Sequence, residues 1–250
     1  NLRLKKKISI QVKFFFKKLL PSIFSSGINQ INILVGTIIA SFQVGAVSYL
    51  YYADRVYQIN LAIAGIAVST VSLPVLAKAI KNKSIKLITK IQNKSIELCL
   101  LLSLPAGIGL IFASNEIVNS LFGYGSFNEE NIKLTASALK YFGYGVPAFS
   151  LIKIMSNLFF ARDNTTTPFK ISFFVVIINI SISLIYFKEV GFLIIPIATS
   201  ISTWAGVLIY IFILNSKNYL VIEVNTYNNL IKITFATFVM TILLIFLLNF

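Results

Sequence analysis

Asp54 and Arg55 are the residues in this sequence whose types and spacing best suggest chemistry. They follow Tyr49, Tyr51 and Tyr52 and precede Tyr57 in the stretch VGAVSYLYYADRVYQINLAIAGIAVSTVSLPVLAK, residues 44–78. Arginine presents five N–H donors in a planar fork that can grip a phosphate in bidentate fashion. A pyrophosphate passing through a water-filled cavity would need such a group. Near a membrane boundary the same side chain reaches out to water or headgroups, and the tyrosines fit an interfacial aromatic belt. Both readings stand for this stretch: a phosphate grip or a boundary anchor.

The other reactive side chains form no catalytic constellation. The chain has no histidine, which removes His-based triads, His general bases and His metal ligands. Cys99 is the one cysteine, so no disulfide forms within the chain. Glu129 and Glu130 are adjacent and read as a solvated turn. Lys153 is the one basic residue deep in an apolar stretch, where it lines a cavity or snorkels from the end of a tilted helix. No strand precedes Gly107 and Gly109, so they read as packing glycines, not a phosphate loop. The expectation is a protein that is not an enzyme, with no catalytic residue, no metal and no cofactor.

The elements that must position Asp54 and Arg55 follow from composition. Hydrophobic residues make up 57% of the 250 and charged residues 12%, against about 25% charged in a soluble domain. Too little polar surface is available to face water all round, so lipid is the solvent for much of the chain. The fold class is all-α, a polytopic membrane helix bundle of about seven transmembrane helices. The expected spans are 21–43, 56–78, 95–114, 136–160, 169–187, 192–214 and 230–249, each near the ~20 residues that cross ~30 Å of hydrocarbon. Ahead of them, residues 1–20 interleave Arg3, Lys5, Lys6, Lys7, Lys13, Lys17 and Lys18 with apolar side chains, as an interfacial amphipathic helix does. Ser25, Asn29 and Asn32 share one helical face of the first span, and that polar face should look into a cavity rather than lipid.

The formal charge of +14 follows the same plan. With the N-terminal run inside, alternate connections collect Lys78 to Lys94, Arg162, Lys170, Lys217 and Lys232. The outside ones hold Arg55, Lys133, Lys140 and Lys188. That asymmetry is the positive-inside pattern, so the partner is the lipid bilayer and no nucleic acid is expected. The chain begins at Asn1 and ends in ILLIFLLNF, so both ends read as cuts through a longer protein.

Four stretches carry a resemblance. LLPSIFSSGINQINILVGTIIASF and SYLYYADRVYQINLAIAGIAVSTVSLP, then LFGYGSF at 121–127 and FFARDNTTTPFKI at 159–171, resemble the MurJ/MviN lipid II flippases of the MOP exporter superfamily. The resemblance covers about residues 12–215. It implies fourteen spans in two six-helix lobes plus two further helices, with this chain matching span 7 to span 13, a MATE-like C-terminal lobe without its N-terminal partner lobe. It also implies an inner-membrane flippase that carries lipid-linked peptidoglycan precursor to the periplasmic leaflet by alternating access. Arg55 is then the substrate-binding residue, with Asp54 beside it as counter-ion, and Asn29, Asn32 and Lys153 as cavity-lining candidates. An ion site would fall on Asn179, Ser183 and Thr199, with Ser183 standing where a carboxylate is expected. The inner loop Asn164-Thr165-Thr166-Thr167-Pro168 lacks the acid and base usual there. Two alternatives stay open: another MOP-type exporter of drugs, cations or polysaccharide-lipids, or a truncated remnant that does not transport.

Overall fold

The computed structural model describes residues 30–248, and within them every regular element is helical. The expected interfacial helix, the start of the first span and Asn29 lie outside the described residues. Nine α-helices follow in order: α1 (Gln30–Ser41), α2 (Ala46–Leu61), α3 (Val68–Lys81), α4 (Ile85–Phe112), α5 (Ser114–Phe122), α6 (Glu129–Phe160), α7 (Thr166–Val190), α8 (Ile194–Ser216) and α9 (Val224–Leu248). A π-helical stretch, Ala62–Ala67, joins α2 to α3 without a break, and a single 3-10 turn, Gly191–Leu193, joins α7 to α8. Four stretches are long and apolar enough to cross a membrane: Ala46–Lys81, Ile85–Phe112, Thr166–Ser216, which holds both α7 and α8, and Val224–Leu248.

α6 explains why hydropathy alone undercounts the bundle. It is the hub, packed against α2, α3, α4, α5 and α8. Buried along it are Thr135, Ser150, Ser156 and Asn157, together with glycines and alanines. A helix surrounded by protein can carry hydroxyls and amides, whereas one facing lipid cannot. Small residues bring its neighbours close. A Cβ on Gly107 of α4 would sit 2.9 Å from the Gly143 carbonyl, and one on Gly65 of the π-helical stretch 3.0 Å from Cα of Ser150. Gly109 faces nothing within 4 Å, so of the two expected packing glycines on α4 only Gly107 packs.

Several boundaries differ from the sequence expectation. The polar stretch from Ser114 to Thr135 contains α5 and the first turns of α6, capped by the Asn128 side chain accepting from Asn131 N at 2.9 Å. The lysine-rich stretch 78–94 is only a three-residue turn, 82–84, between the end of α3 and the start of α4. Helices continue past the hydrocarbon because their backbone hydrogen bonds do not depend on lipid. A hydropathy window marks only the apolar middle. The most consequential difference is in the second span: its helix begins at Ala46, ten residues before the expected 56.

Candidate functional site

That early start puts Asp54 and Arg55 inside a helix instead of at its edge. Arg55 lies nine residues into α2, about 14 Å from Ala46 at 1.5 Å per residue. The helix is started by Gly45, at φ 75°, a backbone conformation favourable to glycine. Its first turns are pinned by Tyr49, whose hydroxyl donates to Asn131 Oδ1 at 3.0 Å. The preceding turn is tied across the bundle as well: Phe192 N donates to Gln43 Oε1 at 2.9 Å. The α1–α2 turn is thereby docked on the α7–α8 connection, and the four helices enclose a cavity of about 540 Å³ against α6.

Asn32, Thr37, Tyr51, Asp54, Arg55, Tyr57, Gln58, Phe142, Asn179 and Thr199 are among the residues lining it. One wall carries charge. Asp54 accepts a hydrogen bond from Gln58 Nε2, one turn on. Arg55 is exposed and lies with its guanidinium carbon 4.7 Å from the centre of the Tyr51 ring, a cation–π arrangement. No carboxylate among the described residues is within 4 Å of that guanidinium, the ion pair there being Lys94–Glu97. The expected counter-ion role of Asp54 is therefore not seen: its carboxylate is held by an amide, and the arginine fork is left to the cavity. Beneath them Tyr57 packs on Phe142 and Phe149, with ring centres 4.6 and 5.3 Å apart. Asp54 and Arg55 are set by the rigid aromatic floor below and the pinned helix start above.

The opposite wall is neutral. Asn179 Nδ2 donates to Thr199 Oγ1 at 2.9 Å and to Ser202 Oγ at 3.5 Å. Thr199 Oγ1 in turn donates to Ile195 O at 2.7 Å. Asn32 Oδ1 is buried without a partner among the described residues. Ser183 is buried one turn from Asn179, its hydroxyl likewise unpartnered, and it does not line the cavity. The described residues contain no group of three or more His, Cys, Asp or Glu that could hold a metal. Hard cations are held by converging oxygens with carboxylates among them, and here Asn179 turns its nitrogen to Thr199. These residues do not fit a cation, and no step below passes through one.

Sequence reasoning separated Arg55, Asn32, Asn179 and Thr199 by up to 167 positions; the fold brings them to one cavity. It does not bring Lys153 there. Gln58 was missed. Its only signal was its position four residues after Asp54, a helical neighbour. Arg162 in the inner turn is engaged elsewhere, its Nη1 donating to Leu158 O at 2.6 Å and its guanidinium lying 4.1 Å from the Tyr219 ring.

An all-helical bundle with a polar, arginine-bearing cavity walled by its membrane-spanning helices defines a multi-pass membrane transporter. The solved structures it resembles give that class a family. Over 98% of this chain and 51% of the other, it superposes on a structure described as lipid II flippase MurJ, inward closed conformation, with TM-score 0.82 and 27% identity. A multidrug resistance MATE family transporter of the MOP superfamily, in an outward-facing conformation, shares the fold at TM-score 0.72 and 15% identity, over 84% of this chain and 48% of that one. The family profile described as lipid II flippase MurJ matches residues 2–250, and the chain belongs to that family. Among curated relatives, the probable lipid II flippase MurJ of Rickettsia prowazekii is 42% identical over 192 residues, which cover 75% of this chain and 38% of the relative. That of Rhizobium tropici is 38% identical over 204 residues, covering 82% and 38%. The chain spans about two fifths of the length of these relatives.

Proposed function

We propose that this chain forms one lobe of a lipid II flippase in the bacterial inner membrane, translocating lipid-linked peptidoglycan precursor from the cytoplasmic to the periplasmic leaflet. One observation carries the reading: the Arg55 guanidinium faces a 540 Å³ cavity within the membrane-spanning helices without a carboxylate partner. An arginine at mid-bilayer costs about 2.5–3.5 kcal/mol on insertion scales, so an unpaired one is retained for a ligand that supplies the anion. A pyrophosphate matches its fork, and the polyprenyl tail stays in lipid. Rocking against a second, N-terminal lobe then changes the side from which the cavity opens. No covalent step is required.

The test is transport by the complete gene product in cells depleted of their own flippase. Arg55→Ala abolishes appearance of lipid II on the outer face, and Arg55→Lys restores it in part because lysine lacks the fork. Normal outer-face lipid II with Arg55→Ala would sink the role. A cation or drug exporter is the second reading, supported by Asp54 in the same cavity. It predicts that Asp54→Asn abolishes export while Arg55→Ala leaves it.

A further inference from the structure

Lys153 is a cationic side chain within the bundle that the Arg55 cavity does not use. It lies seven residues before Phe160, about 10 Å from the inner end of α6. Between 149 and 160 the residues of α6 that are not buried are Phe149, Ile152, Lys153 and Phe160. At 3.6 residues per turn these share one face. The faces on either side are taken. Asn157 donates to Ser69 O of α3 at 2.7 Å, and a Cβ on Gly206 of α8 would meet Ile152 at 3.2 Å. The open face therefore lies between α3 and α8.

Followed outward, the same face carries Phe149 and then Phe142, the rings on which Tyr57 rests. Tyr57 and Phe142 line the Arg55 cavity. Lys153 sits about 16 Å inward of Phe142 along that line. Its backbone carbonyl is held by hydroxyls, from Ser156 at 3.0 Å and Ser69 at 3.3 Å. No carboxylate among the described residues comes within 4 Å of its ammonium. Fixed main chain, open face and an uncompensated charge occur together.

We infer that Lys153 is a second phosphate-binding position, placed so that a phosphate or pyrophosphate headgroup entering from the cytoplasmic side meets the lysine before Arg55. The two cations suit different tasks. An ammonium is a compact point charge that holds phosphate without fixing its orientation, while the guanidinium fork orients it. The direction of travel rests on the flippase reading; the phosphate contact rests on the geometry alone.

The phosphate could belong to a carried headgroup or to bulk phospholipid, and the experiment separates them. The complete gene product is purified, and labelling of Lys153 by an amine-reactive reagent is followed by mass spectrometry. Inorganic pyrophosphate slows labelling about tenfold, a 1.4 kcal/mol contact, and does so in Arg55→Ala as well; phosphatidylglycerol vesicles do not. Labelling that ignores pyrophosphate, or that phosphatidylglycerol slows equally, overturns the proposal, the latter marking a lysine that merely snorkels. In transport, Lys153→Gln raises the half-saturating lipid concentration with little change in maximal rate, and Lys153→Arg restores it. A fall in maximal rate alone overturns it too. Pyrophosphate protection without lipid II transport by the unaltered protein leaves the lysine site standing and removes the flippase reading instead.

Discussion

Two regions of this bundle hold charge among membrane-spanning helices, and they treat it in opposite ways. At the seam between α4 and α9, Glu97 accepts from Thr226 Oγ1 at 2.7 Å and from Asn229 Nδ2 at 3.2 Å, and its other oxygen lies 3.5 Å from Lys94 Nζ. Gln92 and Asn93 both donate to Val221 O, at 2.9 and 2.8 Å, and Asn93 Oδ1 accepts from Glu223 N at 3.3 Å. Both Glu97 oxygens find partners, and the linker before α9 is stitched to α4. In the α1–α2–α7–α8 cavity, Arg55 has an aromatic face and no anion, and Asn32 Oδ1 has no partner among the described residues. A buried polar group left unpaired costs free energy, so the satisfied seam is structure and the unsatisfied cavity awaits a ligand.

The comparison breaks or sharpens in three places. The largest effect is expected at Arg55. Arg55→Ala lowers transport by roughly a hundredfold or more, as loss of a charge–phosphate contact of about 2–5 kcal/mol requires. Thermal unfolding is unchanged, because the side chain supports no other group. A matching loss of stability would make Arg55 a structural residue like Glu97.

Glu97→Ala should do the reverse. It strands the Thr226, Asn229 and Lys94 donors and destabilises the α4–α9 seam by about 1.5–3 kcal/mol. Transport per folded molecule is retained. Cysteine cross-linking between α4 and α9 would report the loosened seam. Full stability with lost transport would move Glu97 into the functional machinery.

The smallest contrast is within α4. Gly107→Ala drives a methyl against the Gly143 carbonyl and destabilises the α4–α6 crossing by about 1–3 kcal/mol. Gly109→Ala meets nothing and changes stability by less than about 1 kcal/mol, in the stabilising direction that alanine brings to a helix. Equal effects from the two would show that the crossing is looser than the described packing.

Much of this was legible in the residues because lipid imposes a simple rule. Apolar runs of helical length and lysines gathered at alternate ends determined an all-α bundle and its orientation, since an unpaired backbone cannot cross hydrocarbon and Lys and Arg stay on one side. The YYADR run singled out Asp54 and Arg55. The expectation went astray where protein replaces lipid as the surroundings. α5 and the first turns of α6 read as a loop, being too polar for a span, and Asp54–Arg55 read as a boundary because charge inside a helix looks like its end.

The sequence by itself determined the class of fold, the side on which each connection lies and the arginine to suspect, all consequences of composition and one-dimensional period. Only the tertiary structure decided what those residues face. It put Arg55 about 14 Å inside α2, gave Asp54 to Gln58 rather than to the arginine, and brought Asn32, Asn179 and Thr199 across from other helices to the same cavity. It moved Lys153 out of that cavity to a separate place along the α6 face. A helix's rotation about its own axis is set by the neighbours it packs against, and sequence period alone cannot supply it.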